Sequence, residues 1–113
     1  MSDRLPAKLE ATALIRQAQS NGGFGTVLRR GDPDSGAILL LVMERGVPLA
    51  MIERQMAVDF NYRWTVTARG DALDRDKFHE SIEIRSRFDA DFWIIELDIP
   101  DGERFIAETT ASS

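Results

Sequence analysis

The spacing of apolar residues near the start of the chain predicts an amphipathic helix. Over residues 5–21 the apolar side chains recur every three or four positions, and the polar side chains lie off that stripe. Pro6 suits the first turn of a helix, and Gly22 and Gly23 suit its end because glycine adopts left-handed backbone angles freely. We therefore expect one helix over residues 5–21.

Four runs typical of β-strands follow this helix. Residues 24–30 and 37–45 flank a cluster of turn-forming residues at 31–36, which predicts a hairpin between the two strands. A further turn leads into a third predicted strand over residues 49–55. In residues 60–68 apolar and polar side chains alternate, as they do in a half-buried strand.

Residues 71–88 carry two competing patterns. Phe78 and Ile82 lie on one helical stripe, and the acidic residues before them suit a helix N-terminus. Residues 82–85 also alternate as a strand does. Residues 80–88 are therefore open between helix and strand, and we predict the helix.

The remaining elements complete an α+β fold. Residues 92–99 predict a last strand, followed by a short returning segment over 103–107. Since short turns favour antiparallel pairing, the order α-β-β-β-β-α-β predicts a mostly antiparallel sheet of about five strands with two helices packed on one face. Residues 1–108 form a single predicted domain and 109–113 a loose polar tail. The pattern leaves the strand order open.

Both faces of the predicted sheet carry apolar residues. The run 37–43 is apolar throughout, so its strand is apolar on both sides. Two helices on one face would leave the other face uncovered, which makes that face either a larger core or a protein–protein interface. We predict an interface, with Ile38, Leu40, Phe92 and Ile94 as candidate residues.

The composition excludes several classes of site. The 113 residues include no cysteine and one histidine, which rules out disulfide scaffolds, thiol catalysis, thiolate or multi-histidine metal sites and iron–sulfur clusters. The net charge of −5 argues against nucleic-acid or anionic membrane partners. We expect a cytoplasmic protein, because no run approaches the ~20 apolar residues of a membrane span and the N-terminus lacks a signal-peptide pattern.

Three segments of the chain resemble those of a known bacterial family. They are residues 22–24 leading into residues 28–37, then residues 87–93 with the sequence Arg-Phe-Asp-Ala-Asp-Phe-Trp, then residues 94–97. In this order they resemble the domain-of-unknown-function family 1491, which consists of small single-domain proteins found mainly in alphaproteobacteria. The family pattern has proline where this chain has Ala90 and leucine where it has Phe92.

The resemblance implies a helix between residues 74 and 87, in agreement with the choice of helix in that region. It implies no activity, substrate, cofactor or catalytic residue. Any functional site therefore has to be argued from the residues themselves.

The 31–36 loop holds the first candidate site. Asp32 and Asp34 carry the carboxylate oxygens that hard cations prefer. An EF-hand loop starting at Asp32 would need glycine at its sixth position and glutamate at its twelfth, where this chain has Ala37 and Met43. Turn chemistry alone also accounts for the residues of this loop. Asp32 and Asp34 are binding candidates, with a turn as the simpler interpretation.

Charged residues on two strands are further candidates. Arg29 and Arg30 carry guanidinium groups suited to a carboxylate or phosphate, although neighbours in a strand point to opposite faces and cannot grip one ligand together. Glu96 and Asp98 share a face of the last strand, which makes them a candidate pair for metal or acid–base chemistry. The simpler interpretation is that both are solvated acids beside Arg87 or Arg104.

The remaining functional residue types favour structural roles. Trp64 and Trp93 lie on apolar strand faces, which predicts core positions in preference to stacking on nucleic-acid bases. His79 has acidic neighbours at helical spacing, but no nucleophile can be placed beside it. We therefore assign no catalytic residue, metal ligand or cofactor.

Two functions remain open at this point. The first is a small non-catalytic module that binds protein, with a second copy of itself, as a homodimer, the first partner expected. The alternative is a metal-assisted or acid–base enzyme acting on a small polar substrate through Asp32, Asp34 or the Glu96–Asp98 pair. Neither a nucleic acid nor a membrane is an expected partner, and no small-molecule ligand can be named.

Overall fold

The computed structural model describes residues 5–111. In that part of the chain five strands form one sheet, and helices pack on both of its faces. The elements follow in the order α1 Ala7–Ser20, β1 Phe24–Arg29, β2 Ile38–Glu44, β3 Val47–Met56, β4 Tyr62–Ala68, a 3-10 turn Gly70–Leu73, α2 Arg75–Phe88, β5 Trp93–Asp98 and α3 Gly102–Thr110.

The sheet is mixed, with the strand order β1-β5-β2-β3-β4. β5 is antiparallel to β1 and parallel to β2, while β3 is antiparallel to both β2 and β4. The predicted hairpin between β1 and β2 is therefore wrong, because β5 lies between them. β2 and β5 are the most deeply buried strands, and only the centre of a sheet buries both faces of a strand.

Helices cover the two faces of the sheet unequally. On one side, the α1/α3 face, helix residues such as Ala11 pack against strand residues such as Leu40. On the other side, the α2 face, Phe78 and Ile82 pack against a cluster that includes Leu39. The α+β class and the five-stranded sheet are confirmed. The prediction of two helices on one face is corrected, because the described residues form three helices on two faces.

The four candidate interface residues lie inside a single copy of the chain. Ile38 and Leu40 are 3% and 0% exposed on the α1/α3 face, and Phe92 and Ile94 are 0% and 4% exposed on the α2 face. The prediction that they form an interface is therefore wrong. Since α2 covers the second face, that face is core. An aspartate at either position in β2 would bury an unpaired charge and unfold the domain.

Residues 80–88 are helical, as the pattern at Phe78 and Ile82 predicts. The strand-like alternation in residues 82–85 depends on Ile84, which is 47% exposed and does not reach the core. No side chain of α2 is fully buried, and Phe78 and Ile82 are only partly covered. α2 is therefore the most shallowly packed of the helices in residues 5–111.

The chain ends in a helix that the sequence pattern does not predict. α3 occupies the region predicted as a returning segment over 103–107, and it follows a left-handed turn at Asp101, whose φ is 58°. Phe105 and Ile106 anchor α3 to the α1/α3 face. It includes the first two residues of the predicted tail, whereas residues 112–113 lie outside the described part. No helix in residues 5–111 has the length and hydropathy needed to cross a bilayer.

Candidate functional site

The 31–36 loop is a turn closed by the side chain of Asp32. One oxygen of this carboxylate accepts the backbone N–H groups of Ser35 at 2.8 Å and Asp34 at 3.1 Å, and the Ser35 hydroxyl at 3.0 Å. The Ser35 backbone N–H is the main cause of a lowered pKa of Asp32, followed by the Ser35 hydroxyl and the Asp34 N–H. Asp32 therefore satisfies the donors of its own turn, as aspartates in turns commonly do.

The backbone of the same loop holds other elements in place. The carbonyls of Pro33 and Asp34 accept the N–H groups of Lys8 and Ala7 at 2.8 and 3.1 Å, which satisfies donors of the first turn of α1. The indole N–H of Trp93 donates to the Asp32 carbonyl at 2.8 Å. Within residues 5–111 no three acidic, histidine or cysteine side chains are placed to hold a metal ion. The loop acts as a structural support.

The two adjacent arginines lie on opposite sides of the sheet, as their spacing predicts. The guanidinium carbon of Arg29 lies 4.2 Å from the ring centre of Phe92, and that of Arg30 lies 5.7 Å from the ring of Trp93. Arg29 also donates to the carbonyls of Phe92 at 3.2 Å and Ala90 at 3.1 Å. Arg29 therefore secures the segment before β5.

Glu96 and Asp98 share the α2 face of the sheet. In register they lie beside Leu41 and Met43 of the neighbouring strand β2. The carboxylate of Asp98 accepts the backbone N–H groups of Arg45 and Gly46, both at 2.9 Å. These bonds hold the turn between β2 and β3, in which Arg45 has a φ of 52°. Since Asp98 is occupied with this turn, the structure favours separate roles for the two acids over an acid–base pair.

An apolar surface that sequence reasoning missed lies where β3 turns into β4. We call residues 56–62 the hairpin tip. Four large side chains at alternate positions of the tip are exposed by 52% to 98%: Met56 52%, Val58 98%, Phe60 79% and Tyr62 64%. The alternation that continues through residues 60–68 conceals this surface, because it assigns Phe60 to the buried side of a strand.

The hairpin tip is an ordered turn. Ala57 donates its backbone N–H to the Asn61 carbonyl at 2.9 Å, and Phe60 donates to the Ala57 carbonyl at 2.9 Å. Asp59 accepts the N–H of Asn61 at 3.1 Å and pairs with the guanidinium of Arg63. The Asn61 N–H, followed by Arg63, lowers the pKa of Asp59. Phe60 adopts a left-handed conformation with a φ of 66°.

Comparison with known proteins agrees with the fold and with the sequence resemblance. A family model for proteins of unknown function, DUF1491, matches residues 5–107. The chain belongs to the DUF1491 family. No curated protein matches it. The family carries no established activity, so the structural placement of the residues has to guide any functional proposal.

Solved structures of this family have the same fold. A crystal structure of a DUF1491 protein from Caulobacter crescentus CB15 has 30% identity and a TM-score of 0.74, covering 90% of this chain and 94% of its own. An NMR structure from the same organism has 28% identity and a TM-score of 0.68, with 87% and 88% covered. Protein Atu0922 from A. tumefaciens, at 23% identity and a TM-score of 0.67, shares the fold over 87% and 88% of the two chains.

Proposed function

We propose that this protein is a non-catalytic binding module that associates with a second copy of itself through the hairpin tip. The observation that carries the proposal is the set of four large apolar side chains held exposed on one ordered turn. Large apolar and aromatic side chains supply most of the binding energy in protein interfaces. Contiguous exposed apolar surface on a domain marks an interaction site more often than scattered single residues do.

The backbone at Phe60 supports this role for the tip. A left-handed conformation is unfavourable by about 1–2 kcal/mol for a residue with a Cβ atom. Phe60 is 79% exposed, so its ring contributes little to the core that would offset this strain. Strained residues at exposed positions are typical of functional contacts. A binding partner that covers the ring would supply the missing stabilisation.

The charge distribution favours a second copy as the partner. The whole chain carries a net charge of −5, which opposes self-association in general. The tip is locally neutral, because the charge of Asp59 is balanced by that of Arg63. In a two-fold symmetric contact the same patch meets itself, so the neutral Asp59–Arg63 pair of one copy meets the same pair of the other without net charge repulsion.

A cytoplasmic location belongs to the same proposal. The chain contains no cysteine, so no disulfide bond contributes to its stability and the protein has no need of an oxidising compartment. The acidic net charge also supports a protein partner over a nucleic acid, whose phosphates attract basic surfaces.

Sedimentation velocity over a range of protein concentrations tests the proposal. We expect the wild type to form a dimer, and Val58→Ser and Phe60→Asn each to weaken the dimer at least tenfold, which corresponds to about 1.4 kcal/mol. Val58 is 98% exposed, so serine there leaves the fold unchanged. Asparagine accepts the left-handed conformation at position 60.

A matched valine provides the control for these variants. Val47 is 58% exposed in the β2–β3 turn, and Val47→Ser is expected to leave the dimer intact. A wild type that stays monomeric at every concentration would refute the proposal. A dimer that Val47→Ser weakens as much as Val58→Ser would place the interface elsewhere.

A further inference from the structure

The two tryptophans of the chain differ in the use of their indole N–H groups. Trp93 is 2% exposed, and its N–H donates to the Asp32 carbonyl at 2.8 Å. Trp64 is half-buried, and its N–H meets no acceptor in residues 5–111. No buried polar side-chain atom in residues 5–111 lacks a partner, so the N–H of Trp64 is open to solvent and remains available to a ligand.

Trp64 lines a cleft between α1 and α3 with a volume of about 680 Å³. This volume lies within the range of about 300–1,000 Å³ that is typical of small-molecule sites. Apolar side chains that are buried or half-buried line its interior, among them Leu14, Ile99 and Phe105. The cleft therefore combines these apolar side chains with a lining that is polar over the larger part of its exposed surface.

The exposed side chains around the cleft form a mixed polar rim. Gln17 and Asn21 of α1 are amides, which both donate and accept hydrogen bonds. Asp101 and Glu108 only accept, and Arg104, whose guanidinium lies 3.6 Å from Glu108, only donates. Two acids against one arginine give these side chains a formal charge of −1, which disfavours an anionic ligand.

A hydroxyl group is the ligand group that suits this rim, because it donates to carboxylates and accepts from amide, guanidinium and indole N–H groups. A ring that carries several hydroxyls also has a C–H face able to pack on an aromatic side chain. We propose that the cleft between α1 and α3 binds a neutral polyhydroxylated ligand, such as a saccharide, with a ligand oxygen accepting the N–H of Trp64. This site is independent of the hairpin tip.

The surroundings of Trp64 hold its ring in place before any ligand arrives. The guanidinium carbon of Arg54 lies 4.5 Å from the indole ring centre, and the same guanidinium pairs with Glu10 of α1. A cation over an aromatic face is attracted to it. A side chain ordered in advance loses less entropy when a ligand binds.

NMR of the ¹⁵N-labelled protein tests the proposal, because the two tryptophans give two indole N–H signals. Trp64→Phe assigns them by removing one signal. Glucose, mannose, N-acetylglucosamine and trehalose are the probes, titrated through the millimolar range. We expect at least one probe to move the Trp64 signal to saturation. The signal of Trp93 should stay in place, because its N–H is buried and bonded to the Asp32 carbonyl.

A pair of glutamines in α1 provides the matched control. Gln17 lines the cleft, whereas Gln19 is exposed on the same helix outside it. Gln17→Ala is expected to weaken the affinity at least threefold, and Gln19→Ala to leave it unchanged. Two outcomes would overturn the proposal: no shift of the Trp64 signal with any of the four saccharides, or equal effects of the two glutamine variants on the affinity.

Discussion

The 31–36 loop and the hairpin tip are both turns closed by an aspartate that accepts backbone N–H groups two or three residues further along the chain. Asp32 accepts from Asp34 and Ser35, and Asp59 accepts from Asn61. In both turns these bonds lower the pKa of the aspartate. Local chemistry therefore does not distinguish the two turns.

The turns differ in what lies against them. The backbone carbonyls of the 31–36 loop accept N–H groups of the first turn of α1 and the indole N–H of Trp93. The backbone N–H of Asp32 donates to the Asp91 carbonyl at 2.9 Å. Within residues 5–111 the hydrogen bonds of the tip stay inside the hairpin, and Val58 and Phe60 point into solvent. The local hydrogen bonds of a turn therefore determine its backbone conformation. Whether the turn supports the fold or is exposed for binding depends on which other segments pack against it.

Gly31→Ala is the change with the largest expected effect. A Cβ atom at this position would lie 2.1 Å from the Asp91 carbonyl oxygen and 2.7 Å from the Phe92 carbonyl group, and neither backbone group is free to move. We expect a loss of about 3 kcal/mol in the free energy of unfolding, measured by denaturant titration.

Gly46→Ala is the control for this prediction. Gly46 has a φ of 79°, and a Cβ there would meet nothing within 4 Å, so only backbone strain of about 1 kcal/mol is expected. Equal losses in the free energy of unfolding for the two variants would show that the close contact of Gly31 with the backbone of residues 91 and 92 does not add to stability.

Trp93→Phe is the next largest change. It removes the N–H bond to Asp32 and leaves space in a site that is 2% exposed, so we expect a loss of about 2 kcal/mol. Trp64→Phe, next to the hairpin tip, shortens a half-buried ring and removes no hydrogen bond within residues 5–111, and about 1 kcal/mol or less is expected. Thermal unfolding of both variants measures the two losses. A larger loss for Trp64→Phe than for Trp93→Phe would contradict the prediction that Trp93 contributes more to stability.

Most local elements of the fold, with the exception of α3, were predictable from the sequence because each depends on neighbouring residues. The helix predicted over residues 5–21 is α1, Ala7–Ser20, and the alternating run over 60–68 contains β4. The strand order was not predictable. A cluster of turn formers at 31–36 predicts a hairpin, but the insertion of β5 beside β2 depends on packing between segments more than fifty residues apart.

The candidate sites were predictable only in part, for the same reason. The turn interpretation of Asp32 and the separation of Arg29 from Arg30 follow from local geometry, and the structure shows both. The exposure of Phe60 does not follow from local pattern, because burial depends on which segments cover a side chain. The interface assigned to Phe92 and Ile94 was wrong because the sequence pattern did not show that the shallow helix α2 covers the second face.

The smallest expected effects are on the pH dependence of the two turns. The pKa of Asp32 and that of Asp59 lie below the usual 3.8 of an aspartate, so both groups bind protons less readily in the folded state than in the unfolded state. Their contribution to stability is complete above the unfolded pKa and is lost as the pH falls through the lower folded pKa. Asp32→Asn and Asp59→Asn should therefore each flatten the loss of stability on acidification below about pH 4, measured by denaturant titration at several pH values.

Asp32→Asn and Asp59→Asn should have similar effects on stability but different effects on self-association. Asp59→Asn leaves the charge of Arg63 unbalanced, so two copies of the tip repel each other and the dimer weakens at neutral pH. Asp32→Asn changes no charge at the tip and should leave the dimer unaffected in sedimentation velocity. If Asp32→Asn weakened the dimer as strongly as Asp59→Asn, the 31–36 loop would be part of the interface, and the division between a supporting turn and a recognising turn would fail.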